Sequence, residues 1–320
     1  MKKSERLVFY YDLSISASSR TFAVPKTISV RKAFELMQLV PLEQRIKEIS
    51  KGKEFLYISD WNWKDDIISI LVNKSDKDMS DPVFSNPIKN ERRTAQKQDD
   101  EGQDFSVHLV IQLPKNDIEP ALMLIEYCTG LGVFTIHKLL NQLMKDAKNI
   151  CPTDYEQLHP DGALDSDGLP KTYNVNFRCE FAGHISDDLK HDLDYGKVQS
   201  IELITNKEEF TPFDEDGYIQ EKCKTLVLTL KDEQHPIQDK FDRIVKVFKK
   251  QKDEYSHAKV KFKTPTGVPR TVEMNTVEGL ARAYVKKEKL DGFEFDLKSS
   301  YDKFNDPILR KMKDLLLGGT

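Results

Sequence analysis

The apolar and polar positions of the chain fall into short periodic runs separated by polar stretches. "RLVFYYDL" alternates weakly and is rich in aromatics, which predicts a first strand. "SVRKAFELMQLVPLEQRIKEISKG" has helical spacing, interrupted at Pro41 and closed by Gly52. "EFLYISDWNWKDDIISILVNK" predicts two strands joined by a tight polar turn at Asn62–Asp66. "FSVHLVIQLP" (105–114) and "PALMLIEYC" (120–128) predict two more. Residues 132–149 form an amphipathic helix, with Phe134, Ile136, Leu139, Leu140, Leu143, Met144 and Ala147 at helical spacing.

Between these elements, residues 75–104 lack periodicity. A loop of that length inside a compact domain tends to be functional or disordered. Its end, "NERRTAQKQDDEGQDFSVHLVIQLP", passes from a basic run through an acidic turn into a strand. This predicts a surface loop anchored at "DDEG", its flexible part confined to roughly residues 86–98.

The stretch 151–171 is rich in Pro, Gly and Asp and reads as a linker. Beyond it, "TYNVNFRCEF", "VQSIELIT" and "KTLVLTLK" predict strands, and "SDDLKHDL" a short helix. A helix is expected over 235–251 with Pro236 in its first turn, then a hairpin of "HAKVKFKT" and "PRTVEM" around Thr266-Gly267. "NTVEGLARAYVKKEK" (275–289) reads as a helix capped by Asn275 with Glu278 three residues on, and "DPILRKMKDLLL" as a last helix. The expected fold class is α+β in two domains, with mixed or antiparallel sheets each packed with helices. Residues 1–150 would form an N-terminal α/β domain with the long loop. Residues 172–320 would form a C-terminal α+β domain carrying the basic helix and hairpin.

A chain of 320 residues favours two domains over one. No apolar window reaches the length of a membrane span, and the basic start "MKK" leads into no long apolar run of the secretory type. Four widely spaced cysteines without a C-x-x-C argue against zinc and for reduced thiols, so a cytoplasmic location is expected. With a net charge of -4, nucleic-acid binding could come only from a local patch.

Such a patch is visible. Arg243, Lys246, Lys249, Lys250, Lys252, Lys259, Lys261 and Lys263 lie in one short run. In the helix, Lys246, Lys249 and Lys250 oppose Ile244, Val245 and Phe248. In the strand, Lys259, Lys261 and Lys263 alternate with Val260 and Phe262. The two faces could merge into one surface tracking a phosphate backbone, and Arg92, Arg93 and Lys97 could add to it. The alternative is an ordinary solvated face.

Other constellations carry less. His184, Asp187, Asp188, His191 and Asp192 could place ligands on one helix face, but acids also suit a helix start by dipole. Glu294, Asp296 and Lys298 alternate as on a metal-dependent nuclease strand, though no partner acid is evident. "FDEDGYI" and "LDSDGLP" lack the full calcium-loop pattern and read as turns. "EYCTGLG" lacks the lysine and hydroxyl of a phosphate loop, so its glycines serve a strand-to-helix turn. No catalytic residue, metal or cofactor is assigned.

The order of elements resembles the Rex-like phage exclusion proteins. The resemblance rests on "EFLYISDWNWKDDIISILVNKSDK", "DDEGQDFSVHLVI", "KTLVLTLK" with "IQDKFDRIVKVFKK", and "HAKVKFKTPTGVPRTVEMNT" with "VEGLARAYVKK". "DGFEFDLKSSYDKFN" departs from the family pattern. The resemblance implies a non-enzymatic cytoplasmic sensor that binds double-stranded DNA as a homodimer and acts upstream of a membrane-protein partner. A metal-dependent nuclease and a protein-interaction module remain the alternatives.

Overall fold

A computed structural model describes the chain except residues 1, 118, 165, 185, 207–222, 231–238, 252–253, 256, 276–278, 281–284 and 319–320. Its contacts divide the chain into two units, Met1–Glu180 with Glu288–Thr320, and Phe181–Lys287.

The first unit begins with β1 (Arg6–Ser18), α1 (Val30–Gln38) and β2 (Ile46–Glu48). Ser29 caps α1 by accepting from the Lys32 backbone N–H. Pro41 ends that helical run, and a single 3-10 turn (Leu42–Arg45) intervenes before β2. Next come β3 (Glu54–Lys64) and β4 (Ile67–Asp76), joined at Asp65, whose φ of 55° supplies the left-handed corner of the tight turn. Strands β5 (Val83–Asn86) and β6 (Glu91–Thr94) follow, then β7 (Gln103–Gln112), β8 (Ala121–Glu126) and α2 (Val133–Ile150). Strands β9 (Glu156–Leu158) and β10 (Thr172–Asn174) pair with each other, and β11 (Asn176–Gly183) leads out of the unit.

An eight-stranded sheet runs in the order β11-β1-β8-β7-β4-β3-β2. Its eighth strand is β17 (Lys287–Leu290), beside β1. The chain ends in α5 (Asp306–Leu316), capped by Asn305. Neighbouring residues of β3 mark the two sides of the sheet. The Asp60 carboxylate accepts from the Phe304 backbone N–H, while Trp61 packs its ring 5.9 Å from that of Phe34 on α1. Thus α1 lies on one face, with α2 against it, and the C-terminal segment lies on the other. There Ile308, Leu309, Met312 and Leu316 of α5 pack on Val8, Tyr10, Val110 and Leu124. Each such side chain contributes about 1.5–3 kcal/mol by leaving water. Coverage from both sides explains why Ile68, Ile70, Leu71 and Val72 of β4 are all buried.

The second unit comprises α3 (Asp187–Tyr195), β12 (Lys197–Asn206), β13 (Cys223–Leu228), α4 (Lys240–Gln251), β14 (His257–Lys263), β15 (Pro269–Asn275) and β16 (Gly279–Leu280). The strands form one sheet in the order β13-β12-β14-β15-β16, with antiparallel pairing throughout. Leu189 and Leu193 of α3 and Phe241, Ile244 and Phe248 of α4 share a core with Ile201, Leu203, Val260 and Phe262. Both helices therefore cover the same face of the sheet. Gly196 stands where a Cβ would collide with the carbonyl oxygens of Asp192 and Lys263, so only glycine lets α3 hand over to β12 this close to β14.

The mixed α+β class matches the expectation, and several details do not. Residues 75–104 contain the β5–β6 ribbon instead of an irregular loop. Residues 151–171, expected as a linker, begin with a 3-10 turn and β9, and Tyr155 is buried there with its hydroxyl donating to the Met144 carbonyl at 2.8 Å. The expected helix over 275–289 is replaced, where described, by β16 and β17. There Lys286 donates its backbone N–H to the His184 carbonyl, and the pattern of strand pairing overrides helical propensity. The expected strand around Glu294–Lys298 has no regular structure. Pro236 and "FDEDGYI" lie outside the described residues.

Candidate nucleic-acid interface

Helix α4 owes its orientation to three side chains. Phe241, Ile244 and Phe248 recur on one stripe and are buried against the sheet. Its start is fixed by α3: the Asp194 carboxylate accepts from the Phe241 backbone N–H at 2.9 Å, as a helix cap does. Lys240 donates to the Gly196 carbonyl at 2.8 Å and is occupied there. With the apolar stripe inward, Arg243, Lys246 and Lys250 point outward at i, i+3 and i+7, and all three are exposed. None of them pairs with an acid among the described residues. Lys249 belongs to the same helix, and Lys252 lies outside the described residues.

Strand β14 presents the other lysines, but in the opposite direction. Ala258, Val260 and Phe262 point under the helices and are buried. Lys259, Lys261 and Lys263 alternate with them and therefore face the uncovered side of the sheet. The expected merger of the helix face and the strand face does not occur. A helix that packs through its apolar stripe turns its charges away from the sheet, and the pleat turns the strand lysines away from the helix. The strand face is also partly neutralised: Glu202 stands opposite Lys259 in the register, and its carboxylate pairs with Lys261 at 2.5 Å.

Arg92 and Arg93 lie in the first unit, on the fully exposed β5–β6 ribbon. Arg93 stands opposite Phe84, with its guanidinium 4.8 Å from the ring centroid. Lys97 is not a free charge. Its ammonium donates to the carbonyls of Lys77, at 2.9 Å, and Met79, which pins the base of the ribbon. The "DDEG" anchor is present in physical form. Glu101 accepts from the Gln98 N–H at 2.9 Å, and a Cβ on Gly102 would come within 2.7 Å of the Asp76 backbone nitrogen.

The remaining candidates are not brought together. Asp296 pairs with Lys3 at 3.0 Å, with both side chains exposed. Among the described residues, no group of three or more His, Cys, Asp or Glu side chains converges as a metal site would require. The acids at the start of α3 follow its cap, Ser186, which accepts from the Leu189 N–H.

A buried polar centre in the first unit had no counterpart in the sequence reading. Glu126 on β8 accepts from Arg6 Nε at 2.7 Å and contacts His108 Nδ1 at 2.6 Å. All three side chains are at most 1% exposed. His108 Nε2 accepts from the Asn305 backbone N–H at 3.0 Å, so the Nδ1 position carries the proton given to Glu126. Arg6 uses its remaining nitrogens on the carbonyls of Lys2, Glu5 and Lys298. Nearby, Asp104 accepts from Tyr57, Asn73 and Ser300, and burial followed by the Asp104 charge pushes the Tyr57 phenol well above its ordinary range. Sealed from solvent, these groups fasten the segment 298–305 to the sheet. The signal was present: Arg6, His108 and Glu126 each interrupt an otherwise apolar strand, which marks an ionisable group in need of a buried partner.

No family model, no curated protein and no solved structure matches the chain.

Proposed function

We propose that this chain is a non-enzymatic DNA-binding protein whose principal phosphate-contacting element is the outer stripe of α4. One observation carries the reading: Arg243, Lys246 and Lys250 form an exposed row with no acid partner among the described residues. Seven residues of helix span about 10 Å. Duplex DNA carries a charge every 3.4 Å or so along each strand, so the row can meet roughly three phosphates. Contacts of this kind neutralise phosphate charge and release counterions with little regard for sequence. The β14 lysines are the weaker candidates, because Glu202 already holds Lys261.

The resemblance to the Rex-like phage exclusion proteins supplies the setting. On that reading the chain acts as a cytoplasmic homodimer in phage exclusion, upstream of a membrane-protein partner. A dimer would join two modest stripes on an acidic body and gain by effective concentration. Among the described residues no helix is long and apolar enough to cross a membrane itself. A metal-dependent nuclease built on Asp296 and Lys298 is less well supported, since Asp296 is engaged by Lys3 outside any strand.

The test is duplex binding at several salt concentrations for the wild type, for Arg243→Glu/Lys246→Glu/Lys250→Glu and for Lys261→Glu. Loss of affinity confined to the helix variant supports the reading. Equal affinity in all three proteins, or binding indifferent to salt, overturns it.

A further inference from the structure

Every residue of the β5 and β6 strands is exposed, although the two pair in register from Val83↔Thr94 to Asn86↔Glu91. An isolated two-stranded ribbon is marginal in water, and nothing covers this one among the described residues. Yet its geometry is well fixed. Lys97 and the bond from Ala95 N–H to the Pro82 carbonyl hold the base. At the tip, the Asn86 side chain accepts from the N–H groups of Ile88 and Lys89, and Asn90 supplies the left-handed corner at φ 52°. What this build presents to solvent is apolar: Pro87 is exposed and Ile88 is 95% exposed. Behind the tip stand Lys89, Arg92 and Arg93, against the single carboxylate of Glu91.

An apolar tip followed by guanidinium and ammonium groups is unfavourable in water and suits one environment well. Proteins that kink duplex DNA insert Pro or Ile side chains between base steps from the minor groove, while cations line the groove walls. We propose that the β5–β6 ribbon is a minor-groove wedge, in which Pro87 and Ile88 unstack one base step and Lys89 and Arg92 hold the flanking phosphates. Arg93 braces the ribbon by its stacking on Phe84. The inference rests on the DNA-binding reading but concerns a different element and a different observable, the shape of the DNA.

The test uses the full chain, end-labelled linear duplex and the same duplex carrying a central nick. A wedge must unstack a base step, which a nick makes easier. Wild type is therefore expected to bend the duplex, seen as increased energy transfer between its ends, and to prefer the nicked form by about tenfold. In Pro87→Ser/Ile88→Ser both the bend and the preference disappear while salt-dependent binding persists. In Arg92→Ala, with the tip intact, the bend persists with weaker affinity. Two outcomes overturn the wedge and leave the DNA-binding reading standing. One is unchanged bending and preference in the tip variant. The other is a tip variant that loses only self-association in sedimentation, which would make the tip a contact between copies of this chain. A wild-type protein that binds no duplex at any salt overturns both readings.

Discussion

Oε2 of Glu126 lies 2.6 Å from Nδ1 of His108, while its other oxygen holds Arg6 at 2.7 Å, all out of reach of water. One carboxylate thus joins β1, β7 and β8, and through Lys298 and Asn305 it holds the returning C-terminal segment. Glu126→Ala leaves a guanidinium buried without its counter-charge, which costs about 3–5 kcal/mol. Urea unfolding should show that loss. A change below about 1 kcal/mol, the net worth of an ordinary hydrogen bond, would mean that backbone carbonyls alone satisfy Arg6.

The stripe on α4 should govern the salt dependence of DNA binding, not the stability of the protein. Removing three phosphate contacts reduces the slope of log affinity against log salt by roughly 2 to 3. Because the side chains are exposed, Arg243→Glu/Lys246→Glu/Lys250→Glu should keep its unfolding free energy to within a fraction of a kcal/mol, about 0.5 per site. A variant that lost both together would point to misfolding, and a control with Lys261→Glu should leave the slope alone.

Gly196 should resist even the smallest substitution. A methyl there collides with two backbone carbonyls, at Asp192 and Lys263, which no rotamer change relieves. Gly196→Ala is expected to cost about 1–3 kcal/mol by overpacking. Thermal unfolding with the α4 stripe intact checks this, and an unchanged midpoint would show that α3 and β14 can separate freely.

The described thiols should react in order of exposure and thiolate content. Cys179 is fully buried, and that burial pushes its thiol up to about 12. Cys128 is also raised, mainly by burial, whereas Cys151 is partly exposed. Only the thiolate is nucleophilic, so near neutral pH iodoacetamide should label Cys151 well before Cys179 or Cys128. Mass spectrometry of the native protein reads the order. Early modification of Cys179 would mean that β11 opens readily.

Much of the first unit was legible because period-2 and period-3.6 patterns there are undisturbed: β3, β4, β7, β8 and α2 all lie where alternation and helical spacing put them. The second half was harder to read. "NTVEGLARAYVKKEK" has good helix formers and a capping box, yet its described part pairs as strands, since propensity is weak beside the hydrogen bonds of a sheet edge. The β5–β6 ribbon escaped notice because strands exposed on both faces carry no hydrophobic alternation. The lysines of α4 and β14 were found from spacing alone. Their divergence could not be, because the side of the sheet that α4 covers is a tertiary fact held by Phe241, Ile244 and Phe248.

Residues 181–287 are inserted between β11 and β17, and the first unit is closed only by α5, at the far end of the chain. During synthesis Val8, Tyr10, Val110 and Leu124 therefore emerge long before Ile308, Leu309 and Met312, which cover them. The second unit has all its strands and helices in hand earlier. The order of completion along the ribosome is thus the reverse of the order in the sequence, and the late-sealed face of the first sheet is where a nascent chain most needs a chaperone.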